Sequence, residues 1–333
     1  MSERTPAEGL VDVHAHFVTD GYVAAARAAG HLQPDGMPGW PRWDAATHLE
    51  LMDEWGVATS ILSISSPGVH FGDDRAARAL CREVNDAGAR VARRHPGRFG
   101  HFASLPLPDV EGALAEAARA LDELGSHGLA VLSNAGGAYL GAARFAPLWA
   151  ELDRRGAVVF VHPTSPCHDP VPRRPRPMME FVFDSARAAA DLVFNGVLTR
   201  WPRIRWIFTH GGGSLPLLAD RMELFRTVFL GRDGQGLQDG RPDVPAVQQQ
   251  LAGLWWDLAG TPFPHQVPAL VSAFGSRRIL YGSDYCWTPP AGTAAQVASI
   301  DEAPQPPGTT WRALTTSNAL RLLPALGTGA ASG

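Results

Sequence analysis

Apolar positions along the chain alternate between two spacings. The run 10–17, Leu-Val-Asp-Val-His-Ala-His-Phe, opens with Leu10, Val11 and Val13 and predicts a short buried strand. Similar β-branched or apolar runs return at 57–64, 99–105, 129–132, 157–161, 204–209, 254–258 and 278–282, predicting seven more strands. Between them the spacing lengthens to three and four residues. Ala76, Leu80, Val84, Ala87 and Val91 line one face of a helix predicted over 73–95. Further helices are predicted at 110–124, 145–155, 183–199, 215–229, 267–274 and 311–323, and one ending at Trp55 with Asp44 as its N-cap. Loop insertions are predicted at about 17–43, 163–178 and 230–245, with a frayed tail over 328–333.

Eight strands alternating with helices predict a parallel sheet, and eight such units predict a closed α/β barrel, a (β/α)8 TIM barrel. All 333 residues fit a single barrel domain. An open doubly wound sheet is the structural alternative, but no Gly-x-Gly-x-x-Gly follows the first strand.

Composition narrows the function classes. The chain is 45% hydrophobic with a net charge of −4, and its basic residues are spread rather than clustered, so a nucleic-acid surface is not expected. Three cysteines make no disulfide framework, the first ten residues hold no apolar signal core, and no apolar run reaches a membrane span. These features predict a cytoplasmic protein with no membrane partner. There is no lysine at all. Schiff bases, P-loop lysines and carbamylated lysines bridging two metals are therefore excluded.

In such barrels chemistry sits at the carboxyl ends of the strands. Here the first predicted strand ends in His14 and His16, the fifth in His162, the sixth in His210 and the eighth in Asp284. A lone histidine at a strand end is usually held by backbone, but five ligand-type residues at one end of a barrel point to a common site. His14 and His16, two apart on a strand, point to the same side. With His162 and a carboxylate they make a nitrogen and oxygen set suited to Zn²⁺, with Mn²⁺ or Fe²⁺ as alternatives. A coordination position left open can take water or a substrate oxygen. His210 is then a neighbouring acid/base, and the three glycines after it predict close backbone approach with exposed amides.

The motifs Val-Asp-Val-His14-Ala-His16-Phe, Val-His162-Pro, Thr-His210-Gly-Gly-Gly-Ser and Tyr-Gly-Ser-Asp284-Tyr resemble the amidohydrolase superfamily. The likeness covers nearly the whole chain. It is strongest to the branch of metal-dependent decarboxylases that includes aminocarboxymuconate semialdehyde decarboxylase, and within it to 6-methylsalicylate decarboxylases, a likeness to which the stretch 65–74 adds. The resemblance implies His14, His16, His162 and Asp284 as ligands of one metal ion and His210 as the acid/base beside it. The missing lysine agrees with one metal rather than two. Arg221, eleven residues after His210, matches an arginine that reaches the neighbouring subunit's site and binds substrate carboxylate, which implies a homodimer; a surface salt bridge is the other reading.

The chain departs from the branch in two places. The loop after the first strand is shorter, and Arg42 has no clear counterpart, which argues against a muconate substrate. Cys286 and Trp287 follow Asp284 where relatives carry Pro and an aromatic residue. Phe181, Phe183 and Trp287 are expected as aromatic walls, and Cys167 and Cys286 as spectator thiols. The expected reaction is non-oxidative decarboxylation of a small phenolic or other unsaturated carboxylic acid, with Asp284 protonating the carbon that carries the carboxylate. Hydrolysis of a lactone or amide, or hydration, would use nearly the same parts, and a metal-binding scaffold without activity would not need His210.

Overall fold

A computed structural model describes residues 9–166, 174–229 and 244–328. Eight strands form the barrel: β1 (Leu10–His16), β2 (Val57–Ser63), β3 (Phe99–Ser104), β4 (Gly128–Leu132), β5 (Val158–His162), β6 (Arg205–Phe208), β7 (Trp255–Asp257) and β8 (Ile279–Leu280). Each is hydrogen-bonded in parallel to the next in chain order. A parallel bridge between Asp12 and Tyr281 joins the last strand to the first, and the Val13 amide donates to the Tyr281 carbonyl at 3.0 Å. This is the (β/α)8 barrel expected from the alternation.

The helices are α1 (Asp20–Ala28), α2 (Ala45–Trp55), α3 (Asp74–Arg94), α4 (Val110–Asp122), α5 (Ala146–Arg155), α6 (Glu180–Phe194), α7 (Val197–Arg200), α8 (Leu215–Leu224), α9 (Val247–Ala252), α10 (Val267–Phe274), α11 (Pro290–Glu302) and α12 (Trp311–Leu322). Their ends follow local chemistry. Asp44 caps α2 by accepting from the Thr47 amide at 2.8 Å, and Asp73 caps α3 through Ala76. Among the described residues no helix is long and apolar enough to cross a membrane.

Every residue of β1 and of β5 is buried, as expected when helices cover a parallel sheet on the outside and side chains fill it within. The barrel interior is packed by Val13, Ile61, Phe102, Phe160, Ile207 and Leu280, with the Phe102 and Phe160 rings stacked 5.5 Å apart. At the amino end of the strands α12 adds Ala319 and Leu322 to this interior, and Arg205 donates to the Leu322 carbonyl at 2.8 Å. That end is plugged, so any site must lie at the other.

Several local expectations are corrected. The segment 17–43 is not all loop: it holds α1, capped by Thr19, which accepts from the Tyr22 amide. Helix α11 was not foreseen, nor was a small hairpin pairing Asn134–Ala135 with Ala138–Tyr139. The helix expected at 183–199 starts at Glu180 and breaks after Phe194, with α7 following a left-handed Gly196. The helix expected at 215–229 ends at Leu224 and continues as one π-helical turn, Phe225–Phe229. Most of the 230–245 insertion and nearly all of the tail lie outside the described residues, as does Cys167.

Candidate metal and catalytic site

The ends of β1, β5 and β8 bring one atom each from His14, His16, His162 and Asp284 within 4.8 Å of one another, a group able to hold a metal ion. β1 carries a bulge between Asp12 and Ala15, so its pairing with β2 slips by one residue just where the two histidines turn inward. The His14 and His16 rings then lie edge to face, 4.9 Å apart.

Each imidazole is aimed by its far nitrogen. His14 Nδ1 donates to Asp257 Oδ2 at 2.9 Å, His16 Nδ1 lies 3.2 Å from the Ser63 carbonyl, and His162 Nδ1 lies 2.6 Å from the Pro163 carbonyl. Carbonyls and carboxylates only accept, so each Nδ1 carries a proton and each Nε2 is the nitrogen turned to the site, that of His162 lying 3.4 Å from Ser65 Oγ. His14 Nε2 and His16 Nε2 are buried and make no hydrogen bond, although Asp284 Oδ1 stands 3.5 and 3.2 Å away. Buried acceptors without donors are costly, and a metal ion is the partner this arrangement fits.

The electrostatics agree. Burial lowers His16 and drives His162 well below the usual histidine range, which keeps both neutral as ligands must be. Burial alone would also lower His14, but Asp257, Asp284 and Asp12 around it raise it to about 9, so the site draws positive charge. Burial would raise Asp284, yet His16, His210 and His14 hold its carboxyl well below the usual carboxylate range. Its Oδ1 faces His14 and His16, while its Oδ2 stands 3.7 Å from His210 Nε2.

His210 and Asp284 share an unusual backbone. They are two of only three non-glycine residues with positive φ among those described, at 54° and 57°. Such conformations cost on the order of 1–3 kcal/mol and persist where neighbours over-determine them. The Asp284 amide is tied to the His14 carbonyl at 2.7 Å, and the His210 amide to Asp257 Oδ1 at 3.1 Å. Gly211, Gly212 and Gly213 also have positive φ, and side chains at the last two would strike Trp256 and Val182. Their expected exposed amides are corrected in part. The Gly212 and Gly213 amides bond back to Thr209 and His210, so backbone geometry and packing are what require glycine there.

Above these four side chains lies a pocket of about 250 Å³ lined by His162, Asp284, Ser65, Phe181, Trp287 and Asp35, among others. No arginine is among the described residues that line it. The Trp287 indole N–H is buried without a partner, leaving a donor beside this space. Phe183 is corrected: it is 40% exposed and lines an outer groove between α6 and α8 with Arg221. Residues two apart on a helix are about 200° apart around its axis, so only one of Phe181 and Phe183 can face this pocket. Arg221 packs its guanidinium 4.9 Å from the centre of the Phe225 ring, away from this chain's own pocket. Arg42 is exposed, and Cys286 is buried, its thiol pushed up to about 12 by that burial.

Asp257 was missed by sequence reasoning. The signal was available: it ends β7, as histidines or aspartate end the other site-bearing strands. Asp12 was also passed over. It accepts from Ser283 Oγ at 2.6 Å and from the His14 and Ser283 amides at 3.0 Å, joining the site's first and last strands.

The chain is similar to known proteins over nearly its whole length. The chain is 36% identical over 334 residues to the 6-methylsalicylic acid decarboxylase acuB of Aspergillus aculeatus, covering 97% of this chain and 98% of that one. This likeness supports a decarboxylase function. A solved "Amidohydrorolase II" superposes with a TM-score of 0.85 at 30% identity, covering 95% of this chain and all (100%) of that one. The 5-carboxyvanillate decarboxylase of Novosphingobium aromaticivorans, solved with manganese and a nitrobenzoic acid, superposes with a TM-score of 0.82 at 20% identity over 96% of this chain and 97% of that one. The profile described as Amidohydrolase matches residues 11–325, and the chain belongs to that family.

Proposed function

We propose that this protein removes CO₂ from a phenolic, salicylate-like acid at a site for one divalent ion built by His14, His16, His162 and Asp284. The observation that carries the reading is the convergence of bare, buried imidazole nitrogens and one oxygen of Asp284, with the other oxygen turned to His210. The decarboxylase named above, similar over nearly its full length, supports the reaction class. Zn²⁺ suits the three nitrogens and one oxygen, and Mn²⁺ is the alternative. When bound, such an ion polarises the substrate's oxygens and offsets its carboxylate charge.

The chain's own residues then handle the ring and the proton. Phe181 and Trp287 wall the ring, and the unpaired Trp287 N–H donates to a substrate oxygen. His210 passes a proton by way of Asp284 Oδ2 to the carbon that bears the carboxylate, the aspartate carrying it only in transit because its histidine neighbours hold it ionised at rest. The new C–H bond takes the ring's electron pair. The C–C bond then breaks, its electrons restoring the aromatic ring, and CO₂ leaves. The free, buried Cys81 and Cys286 suit a reducing cytoplasm. Exposed apolar residues around Arg221 support a homodimer in which that arginine meets the neighbour's substrate.

The test is turnover of a hydroxybenzoate panel in D₂O. One deuterium on the former carboxyl-bearing carbon and one CO₂ per product are expected. Hydrolysis of an ester or amide makes no C–H bond, so product without ring deuterium, or without CO₂, sinks the proposal.

A further inference from the structure

A second and larger cavity, about 680 Å³, lies on the same end of the barrel beside the metal pocket. It sits over the carboxyl ends of β2, β3 and β4 and is lined by Ile64, Val69, Leu105, Leu107 and Leu132. The first four are buried, and Asp35 lines both spaces. The partition is thin. Ser65 and Ser66 line the metal pocket, while their neighbours Ile64 and Pro67 line the larger cavity. It is crossed by two side-chain contacts, Ser66 Oγ to Thr164 Oγ1 at 2.7 Å and Ser165 Oγ to Asp35. Among the described residues Asp35 is the third non-glycine residue held at positive φ, alongside His210 and Asp284.

Polar groups buried in the larger cavity already have partners. Asn134 donates to Asp184 at 2.9 Å and accepts from the Gly137 amide at 3.2 Å, and the Thr164 hydroxyl is bonded to Ser66. His31, Gln33, His70 and Arg176 also line the space, and the wall of Ile64, Val69, Leu105, Leu107 and Leu132 is the part that suits hydrocarbon. We infer that the two spaces form one substrate tract, and that the acid is a 2-hydroxybenzoate carrying an alkyl chain of several carbons that runs past Asp35 into the larger cavity. This rests on the decarboxylase reading and adds the substrate's second half. The ring and its carboxylate occupy the smaller pocket, and the chain takes the space an acid without one leaves empty.

The metal-loaded full-length protein is assayed for CO₂ release with 2-hydroxybenzoates bearing methyl, propyl and pentyl chains at ring position 4 or 6. In one of the two series kcat/KM is expected to rise roughly four-fold per added methylene, the effect of burying that much hydrocarbon. Leu132→Trp and Val69→Trp, which fill the larger cavity, should lower the pentyl-to-methyl ratio of kcat/KM by roughly ten-fold or more. A ratio unmoved in both variants overturns the inference. So does a wild-type kcat/KM that falls with chain length in both series while the methyl acids still release CO₂; the decarboxylase reading then survives. No CO₂ from any acid removes both. Should a tryptophan variant fail to fold, the wild-type chain-length series decides alone.

Discussion

An imidazole binds a metal through one nitrogen and is aimed by the other. His14 was legible as a candidate ligand because His-Ala-His at a strand end sets two rings on one side. Its support was not, because Asp257 lies 243 residues away in sequence and only barrel closure brings them together. Asp257 serves His14 Nδ1 with one oxygen and the His210 and Ala259 amides with the other. In the proposed scheme it therefore orients a ligand and the acid/base at once. Asp257→Ala is expected to weaken metal affinity by ~10- to 100-fold, the usual effect of losing such a support. His210→Ala, which removes no ligand in the proposed scheme, should keep the metal and lose ~10²–10⁴ in rate. Metal content after dialysis against a graded chelator, measured beside turnover, checks both. A His210→Ala protein that comes out metal-free would make His210 a ligand.

Strands and helices were legible wherever one period dominated. The predicted span 73–95 matches α3 to within a residue because its apolar residues repeat on one face between a capping aspartate and terminal arginines. Helix α11 escaped because two of its four buried positions, Thr293 and Gln296, are polar, which hides the stripe. Helix α1 buries only Tyr22 and Ala26, too little apolar signal against a Gly- and Pro-rich neighbourhood. The β1–β8 closure depended on a polar clamp that no hydrophobic pattern reports. Asp12 is 1% exposed and holds the turn after β8 through Ser283, whose hydroxyl also accepts from the Tyr285 amide at 3.0 Å. Ser283→Ala leaves a buried carboxyl and a buried amide short of partners, at a cost of roughly 1–3 kcal/mol. Urea unfolding of the metal-free protein should show that loss as a lower midpoint with an unchanged slope. An unaltered midpoint would mean the clamp adds nothing to closure.

At the scale of the whole molecule, one face has no explanation within a single chain. Phe183, Leu217, Leu224, Phe225, Val228 and Phe229 are all exposed on or beside α6 and α8, with Leu217 at 81%. Phe183, Arg221 and Phe225 line a groove of about 770 Å³ there. Apolar residues clustered on a surface mark an interface more often than scattered ones do, and a two-fold dimer would let the same patch cover itself. The groove also answers why Phe183 and Arg221 lie outside this chain's own pocket. In the proposed dimer Arg221 reaches across to a substrate carboxylate in the neighbouring site, where no arginine lines the metal pocket. Sedimentation should therefore find a dimer in the wild type. Leu217→Glu combined with Phe229→Glu, which places charges on the apolar face, should yield monomers with a raised KM. Arg221→Ala should raise KM without dissociating the dimer. Mixing Arg221→Ala with Asp284→Asn chains should restore activity in hybrid dimers, because one site then draws both intact residues from different chains. A wild-type monomer with full turnover, or an Arg221→Ala protein with unchanged KM, would reduce Arg221 to a surface residue packed on Phe225.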